Sequence, residues 1–182
     1  ADRVARVREG LRGSVDAALA ASTGALLAKL AGLLAEGEGA AAPIQGALVG
    51  LRTLAGAHDA IFARCDARLN LGAIWGPEGP RATLGEDLAR ALQDAARTGR
   101  PVGDRGLDHG TVALVVPVNG RDRPLGALAL VGDGSVGRPL ADYRVALDAV
   151  SRLLATLAER DRLRDEDLYR SAWLGTLVRD LA

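Results

Sequence analysis

Two histidines, His58 and His109, and one cysteine, Cys65, are the residues best suited to metal binding or nucleophilic chemistry in this sequence. A structural zinc site takes four cysteine or histidine ligands, and these residues cannot complete one without carboxylates. The serines lie in no nucleophile elbow and have no paired histidine and acid, which a hydrolase of that kind needs. The glycine-rich stretches match neither a P-loop nor a dinucleotide fingerprint. We therefore expect no catalytic site, no metal site and no cofactor in this chain.

The composition bears on partners and on the cell compartment. Lys+Arg and Asp+Glu both number 23, so the formal net charge is zero and nothing electrostatic favours direct nucleic-acid binding. A single cysteine excludes an internal disulfide and suits a reducing cytoplasm. The sequence has no unbroken apolar run of membrane-spanning length and no signal-peptide pattern, so we expect a cytoplasmic protein that does not enter a membrane. Because methionine is absent, we also expect the chain to be part of a longer protein.

Long helices are predicted at both ends of the chain. Apolar side chains recur at close to the helical period across residues 2–35, and Pro43 is placed to open a second helix that Gly56 ends. Near the C-terminus, apolar residues recur at alternating steps of four and three, a spacing typical of a helix that packs against another helix. The N-terminal stripe is Val4, Val7, Leu11, Val15 and Leu19, and the C-terminal stripe is Tyr143, Leu147, Val150, Leu154 and Leu157.

Strand patterns follow the second helix. Residues 60–65 and 69–75 read as two short strands, and alternation places Leu71 and Trp75 on the same face of the second. The glycine- and proline-rich segment 76–81 is predicted to be a loop.

A third helix is predicted in the middle of the chain. Thr83 and Glu86 have the spacing of a capping box, so the helix is expected to open there, and Gly99 is expected to end it. Residues 103–110 are expected to form a loop.

A β-hairpin is the clearest local prediction. The apolar runs 111–118 and 125–131 flank Asn119-Gly120, a dipeptide that strongly favours a tight turn between two strands.

In the order helix, two strands, helix, hairpin and long final helix, the chain resembles a GAF domain. The stretches that carry the resemblance are GAHDAIFARCD at 56–66, ARTGRPV at 96–102 and ALVVPVNGRDRPLGALAL at 113–130. The resemblance implies an α+β fold with an antiparallel sheet of five or six strands and helices on both faces. It also implies that the first and last helices share one face, and that the other face holds a small-molecule pocket.

The resemblance divides the chain into three parts. Residues 1–43 would form an N-terminal helical extension, 44–158 the GAF-like sensor domain, and 159–182 a connecting helix to an output domain. The tail LYRSAWLGTLVRDLA at 168–182 resembles the N-terminal half of a PucR-type transcriptional regulator. This implies a small-molecule-sensing and dimerisation module of a bacterial transcription factor, with DNA bound only through a domain beyond Ala182. Two alternatives stay open: the input domain of a signalling histidine kinase, and a structural dimeriser without a ligand.

The resemblance also locates the ligand. It implies a pocket bounded by the sheet, the helix at 83–98 and the loop at 103–110, for a small molecule that the sequence does not name. The predicted lining residues are Phe62, Trp75, Leu88, Leu92 and His109.

A homodimer is predicted from the terminal helices. One GAF-like sheet hardly covers both apolar stripes along their whole length, and large exposed apolar patches are typical of interfaces. The predicted interface residues are Val4, Val7, Leu11, Val150, Leu154 and Leu157.

Overall fold

The structure, a computed structural model, describes residues 2–35, 39–107, 110–133 and 139–180, and side chains at 9, 12–35, 39–103, 106–107, 110–133 and 139–164. In this part of the chain the elements are α1 (Asp2–Ala35), α2 (Ala41–Ala55), β1 (Asp59–Cys65), β2 (Leu71–Gly76), β3 (Gly79–Arg81), α3 (Glu86–Thr98), β4 (Val102–Gly106), β5 (Thr111–Asn119), β6 (Pro124–Asp133), and α4 (Arg144–Asp180), which a short 3-10 helix (Leu140–Tyr143) precedes. The predicted α+β fold is confirmed.

The strands form one six-stranded sheet in the order β3-β2-β1-β6-β5-β4. Every pairing described is antiparallel. The predicted hairpin is confirmed: β5 pairs with β6 along its whole length, from Thr111 opposite Asp133 to Asn119 opposite Pro124. The two longest strands therefore form the middle of the sheet together with β1.

Helices cover both faces of the sheet, and the strand residues alternate between the two. Phe62 of β1 faces the core formed with α1, α2 and α4, whereas its neighbours Ile61 and Ala63 face the core formed with α3. The first and last helices share a face, as the resemblance implied. The two sides of the sheet are therefore separate packing environments.

The α3 side of the sheet is built from small residues. Three alanines of α3 pack on alanines of the strands, and all are completely buried: Ala91, Ala95 and Ala96 in the helix, and Ala63, Ala113, Ala127 and Ala129 in the sheet. Because alanine projects so little from the backbone, α3 lies close on the sheet.

Helix α1 packs on α2 through glycines. A Cβ atom added at Gly50 would overlap the side chain of Leu26, and one added at Gly46 would lie 3.1 Å from a methyl carbon of Leu33. The two helices thus approach where α2 has no side chains. Farther toward the N-terminus α1 leaves this contact, and residues 12–18 are all exposed.

Two predicted loops contain strands, and one predicted cap is wrong. Residues 79–81 form β3 and residues 102–106 form β4, in segments expected to be loops. Helix α3 begins at Glu86 after Gly85, which has no side-chain capping hydrogen bond, so Thr83 and Glu86 form no capping box. The acidic residues Glu86 and Asp87 in the first turn stabilise that helix end instead, through the helix dipole.

The face assignment of Leu71 is also corrected. Between the pairs Ala63–Ile74 and Cys65–Leu71, β2 carries one residue more than β1, which is a β-bulge. The extra residue reverses the alternation, so Leu71 packs against the α3-side core while Trp75 packs against the opposite core.

Helix α4 is one continuous helix of 37 residues, and it runs unbroken across the predicted boundary at 158/159. Its apolar stripe packs chiefly on the sheet and also contacts α2 and α1, so the helix contact predicted for this stripe is made within the chain. Val150, Leu154 and Leu157 are at most 1% exposed in the single chain. Because the chain's own sheet and helices already cover these side chains, their assignment to a dimer interface is wrong.

Candidate functional site

Of the five residues predicted to line one pocket, the four that the structure describes do not lie together. Phe62 and Trp75 are paired across β1 and β2 and belong to the core under α2 and α4. Leu88 and Leu92 of α3 belong to the core on the opposite face. His109 lies outside the described residues. Because the sheet separates the two pairs, the predicted pocket is wrong as a single site.

Burial reinforces this correction. Phe62 is 1% exposed, Leu92 is 0% exposed and Leu88 is 9% exposed, so all three are packed core residues and line no open cavity. Trp75 is partly buried. Two grooves along the helices are described below, and neither is lined by these residues.

The largest of these grooves runs between α1 and α2. It has a volume of about 790 Å³, and its lining includes Lys29 and Ser22 from α1 and Gln45, Val49 and Thr53 from α2. Val49 is a large apolar side chain that is 39% exposed here. The groove is shallow and open to solvent, with one cationic and several neutral polar groups, which makes it a candidate contact surface.

A polar network joins the outer end of this groove to the sheet. Gln45 Nε2 donates a hydrogen bond to the carbonyl oxygen of Pro77 at 2.9 Å, and Arg52 pairs with Glu78 at 2.8 Å. Arg81 binds the carboxylate of Asp59 with both terminal nitrogens, at 2.5 and 3.2 Å. The network fixes the β2–β3 turn against α2.

The charges of this network affect one another's titration. The hydrogen bond from Arg52 is the main reason why the pKa of Glu78 is lowered. The hydrogen bond to Asp59 is the main reason why the pKa of Arg81 is raised. Both shifts favour the charged forms of Glu78 and Arg81, so these hydrogen bonds hold the β2–β3 turn in place.

A second connection joins the β5–β6 turn to α4. The backbone N–H of Arg121 donates to Glu159 Oε1 at 3.2 Å, and Arg162 Nε donates to Glu159 Oε2 at 3.1 Å. The hydrogen bond from Arg162, followed by that from Arg121, lowers the pKa of Glu159. A Cβ atom at Gly120 would collide with the same carboxylate, so the turn and the helix are in close contact.

Sequence reasoning missed this connection. The charged turn after Asn119 and the charged run that starts at Glu159 are both visible in the sequence, but only the fold brings them together. The signal available was the presence of opposite charges in the two segments, with arginines in the turn and Glu159 at the start of the run.

Cys65 and His58 show no arrangement for chemistry among the described residues. Burial is the main cause of the raised pKa of the Cys65 thiol, with the charge of Asp66 adding to it. His58 is exposed at the start of β1. Within the described ranges, no three His, Cys, Asp or Glu side chains are grouped so that they might hold a metal ion.

Helix α1 has one further property. Among the described residues, the segment Arg12–Ala35 is long and apolar enough to cross a membrane, by length and composition only. Its most apolar 18 residues have a mean hydropathy of 1.6, and 11% of them are buried. The core helix of a soluble protein passes the same test, so this property alone is weak evidence.

The fold is similar to solved GAF domains. The GAF domain of an Acinetobacter phosphoenolpyruvate-protein phosphotransferase matches with a TM-score of 0.59 at 10% identity, over 79% of this chain and 97% of that one. A putative GAF sensor protein from Burkholderia vietnamiensis matches with a TM-score of 0.57 at 19% identity, over 79% of this chain and 94% of that one. The chain has the GAF fold.

This likeness rests on structure and not on sequence. No family model matches the chain, and neither does any curated protein. The likeness therefore establishes the fold, and a fold by itself does not fix a function.

Proposed function

We propose that this GAF domain is a non-catalytic, cytoplasmic sensory module that passes a signal from its sheet to an output domain through α4. The observation that carries the proposal is the course of α4. Its apolar residues Leu147, Val150, Leu154 and Leu157 are buried against the sheet. The same unbroken helix continues to Asp180. A change of packing in the core therefore has a rigid route out of the domain.

The contacts of α4 support this role. Near its start Leu147 packs in the core with Phe62, and farther along Glu159 holds the β5–β6 turn. Arg160 Nη1 also donates to the carbonyl oxygen of Leu34 in α1 at 3.4 Å. Helix α4 thus contacts the sheet, the hairpin turn and the N-terminal helix, so it responds to a shift in any of them.

The test is a thermal-shift screen of metabolites followed by hydrogen exchange. A ligand at a hundredfold its dissociation constant should stabilise the domain by about 2.7 kcal/mol. We expect the same ligand to change amide exchange in α4 as well as at its own site. A ligand that stabilises the domain and leaves α4 unchanged contradicts the signalling route. If no metabolite stabilises the domain, the ligand-free structural dimeriser is the better proposal.

Of the regulatory settings, we favour a PucR-type transcription factor over a histidine kinase, because of the tail at 168–182. The full-length protein decides between them. A helix-turn-helix after Ala182 supports the transcription factor, with DNA bound by that domain. A helix bearing a phosphoacceptor histidine supports the kinase.

We further propose that two copies associate through α1. The described residues 12–18 of this helix are exposed, and they include Val15, a large apolar side chain that is 44% exposed. The interface residues Val4, Val7 and Leu11 belong to the same predicted stripe, although their side chains lie outside those described. A second copy would cover this apolar helix across a two-fold axis. Recovery of the purified chain with lipid vesicles, in place of a soluble dimer, would contradict this arrangement.

A further inference from the structure

A second groove lies where the β5–β6 turn meets α4, and it has a volume of about 660 Å³. Three arginines line it: Arg121 from the turn, and Arg152 and Arg160 from α4. The one carboxylate in the lining is that of Glu159, and it is engaged by Arg162 and by the Arg121 backbone. In a chain whose net charge is zero, this is a local excess of positive charge.

The guanidinium groups of two of these arginines pair with no carboxylate of the described residues. Among the described side chains, neither Arg121 nor Arg152 forms an ion pair. Asp148 lies one turn from Arg152, but its carboxylate is 3.8 Å from Arg144 Nε. The guanidinium groups of Arg121 and Arg152 are thus available to a ligand, and guanidinium binds carboxylate and phosphate in a bidentate way.

The same groove has an apolar side. Ala155 and Leu163 of α4 line it, and Leu163 is 52% exposed, one of the few large apolar side chains at the surface of the described chain. A ligand that covers Leu163 removes apolar surface from water, which favours binding. The cationic and apolar parts lie on the same stretch of helix, on the face of the sheet opposite α3.

We propose that this groove binds a small amphipathic anion. Its carboxylate or phosphate group would be held by Arg121 and Arg152, and its apolar body would lie on Ala155 and Leu163. A site here goes beyond the proposed sensory function, which requires no ligand at this place. It would put a ligand in direct contact with both the hairpin turn and α4.

The test uses octanoate and octyl phosphate as probes, with 1-octanol as the neutral counterpart, titrated into the 182-residue chain by calorimetry. We expect at least one anion to bind and 1-octanol to bind at least about tenfold more weakly, because the charge-assisted hydrogen bonds are missing. Binding of octanoate alone identifies a carboxylate ligand, and binding of octyl phosphate alone identifies a phosphate ligand. Added salt should weaken the binding, because the guanidinium groups are exposed.

The double variant R121Q/R152Q should bind the anion at least about tenfold more weakly, since both charged donors are removed. Arg68→Gln, in the exposed β1–β2 loop, is the matched control and should bind like the unchanged chain. Leu163→Gln is a second variant at an exposed position, and it should fold normally. It should weaken the binding of octanoate and octyl phosphate, whereas the binding of inorganic phosphate, used as a probe without an alkyl chain, should not change. Equal binding of 1-octanol, undiminished binding by R121Q/R152Q, or binding of neither anion overturns the proposal.

Discussion

Glu159 of α4 accepts a hydrogen bond from the backbone N–H of Arg121, at 3.2 Å, across 38 residues of sequence. The carboxylate is ionised down to a lower pH than usual because Arg162 and Arg121 stabilise its charge. Its interaction with the turn is therefore fully present above the ordinary pKa of a glutamate. It is lost as the pH falls through the lowered pKa of the folded protein.

We expect Glu159→Gln to lower the protection of the Arg121 amide against hydrogen exchange. In this variant the protection should no longer fall as the pH is lowered. The neutral amide is a weaker acceptor than the carboxylate. Nuclear magnetic resonance exchange measurements across the acidic pH range check this, with Glu86→Gln on α3 as the control. An Arg121 amide protected equally in both variants would show that the contact does not hold the turn.

Leu154→Ala should destabilise the whole domain. The side chain is 1% exposed, and removing it leaves a cavity under the sheet, at a cost of about 2–5 kcal/mol. Leu163→Ala, on the same helix at 52% exposure, should change the free energy of unfolding by about 0.5 kcal/mol or less. Urea denaturation measures both. Equal effects would mean that the stripe of α4 does not pack on the sheet.

Gly126→Ala should also be strongly destabilising. A Cβ atom there would press against the Ala63 carbonyl group and lie 3.1 Å from the Arg64 Cα, and backbone atoms cannot rotate away. We expect the free energy of unfolding to fall by about 1–3 kcal/mol, as it does when a core is overpacked. Gly103→Ala, where no atom lies within 4 Å of the added carbon, is the matched control and should be nearly neutral. A neutral Gly126→Ala variant would contradict the strand register around β1.

The Cys65 thiol should react slowly in the folded protein. It is 8% exposed, and burial raises its pKa, so little reactive thiolate is present near neutral pH. Labelling with iodoacetamide, followed by mass spectrometry, should be complete in denaturant and slow without it. Equally fast labelling under both conditions would place Cys65 at the surface.

Val15→Glu should dissociate the proposed dimer without unfolding the chain. The new charge would be buried between the two α1 helices, whereas in the single chain it is exposed to water. Val145→Glu, at a position that is 76% exposed on α4, is the control and should leave the mass unchanged. Light scattering measures the molar mass of each protein in solution. A monomeric mass for the chain without substitutions would refute the dimer.

The fold was predictable where local signals were strong. The turn at Asn119-Gly120 and the alternating runs on either side determine the β5–β6 hairpin, and Gly56 and Gly99 end their helices in the left-handed conformation, with φ of 57° and 63°. The strands β3 and β4 were missed because they are short and contain glycine. They are strands because neighbouring strands pair with them.

The site was predicted less well, for a physical reason. A strand pattern shows which residues share a face, but it does not show which helix covers that face. Phe62 and Leu92 are both apolar and buried, yet the sheet lies between them. The bulge that moves Leu71 to the other face was missed too, although Gly72 stands inside this strand and a glycine there often marks a bulge. The spacing in α4 was detected correctly, but a sheet covers such a stripe as well as a helix does.

The length of α4 determines how far a movement of its first turn is carried. With a rise of about 1.5 Å per residue, Leu157 lies about 20 Å along the helix from Arg144, and Asp180 lies about 54 Å along it. If the helix tilts about its first turn, a displacement at Leu157 is magnified roughly threefold at Asp180. In the proposed signalling route, a repacking of less than one ångström beneath the sheet would therefore become a movement roughly three times as large at the end of α4.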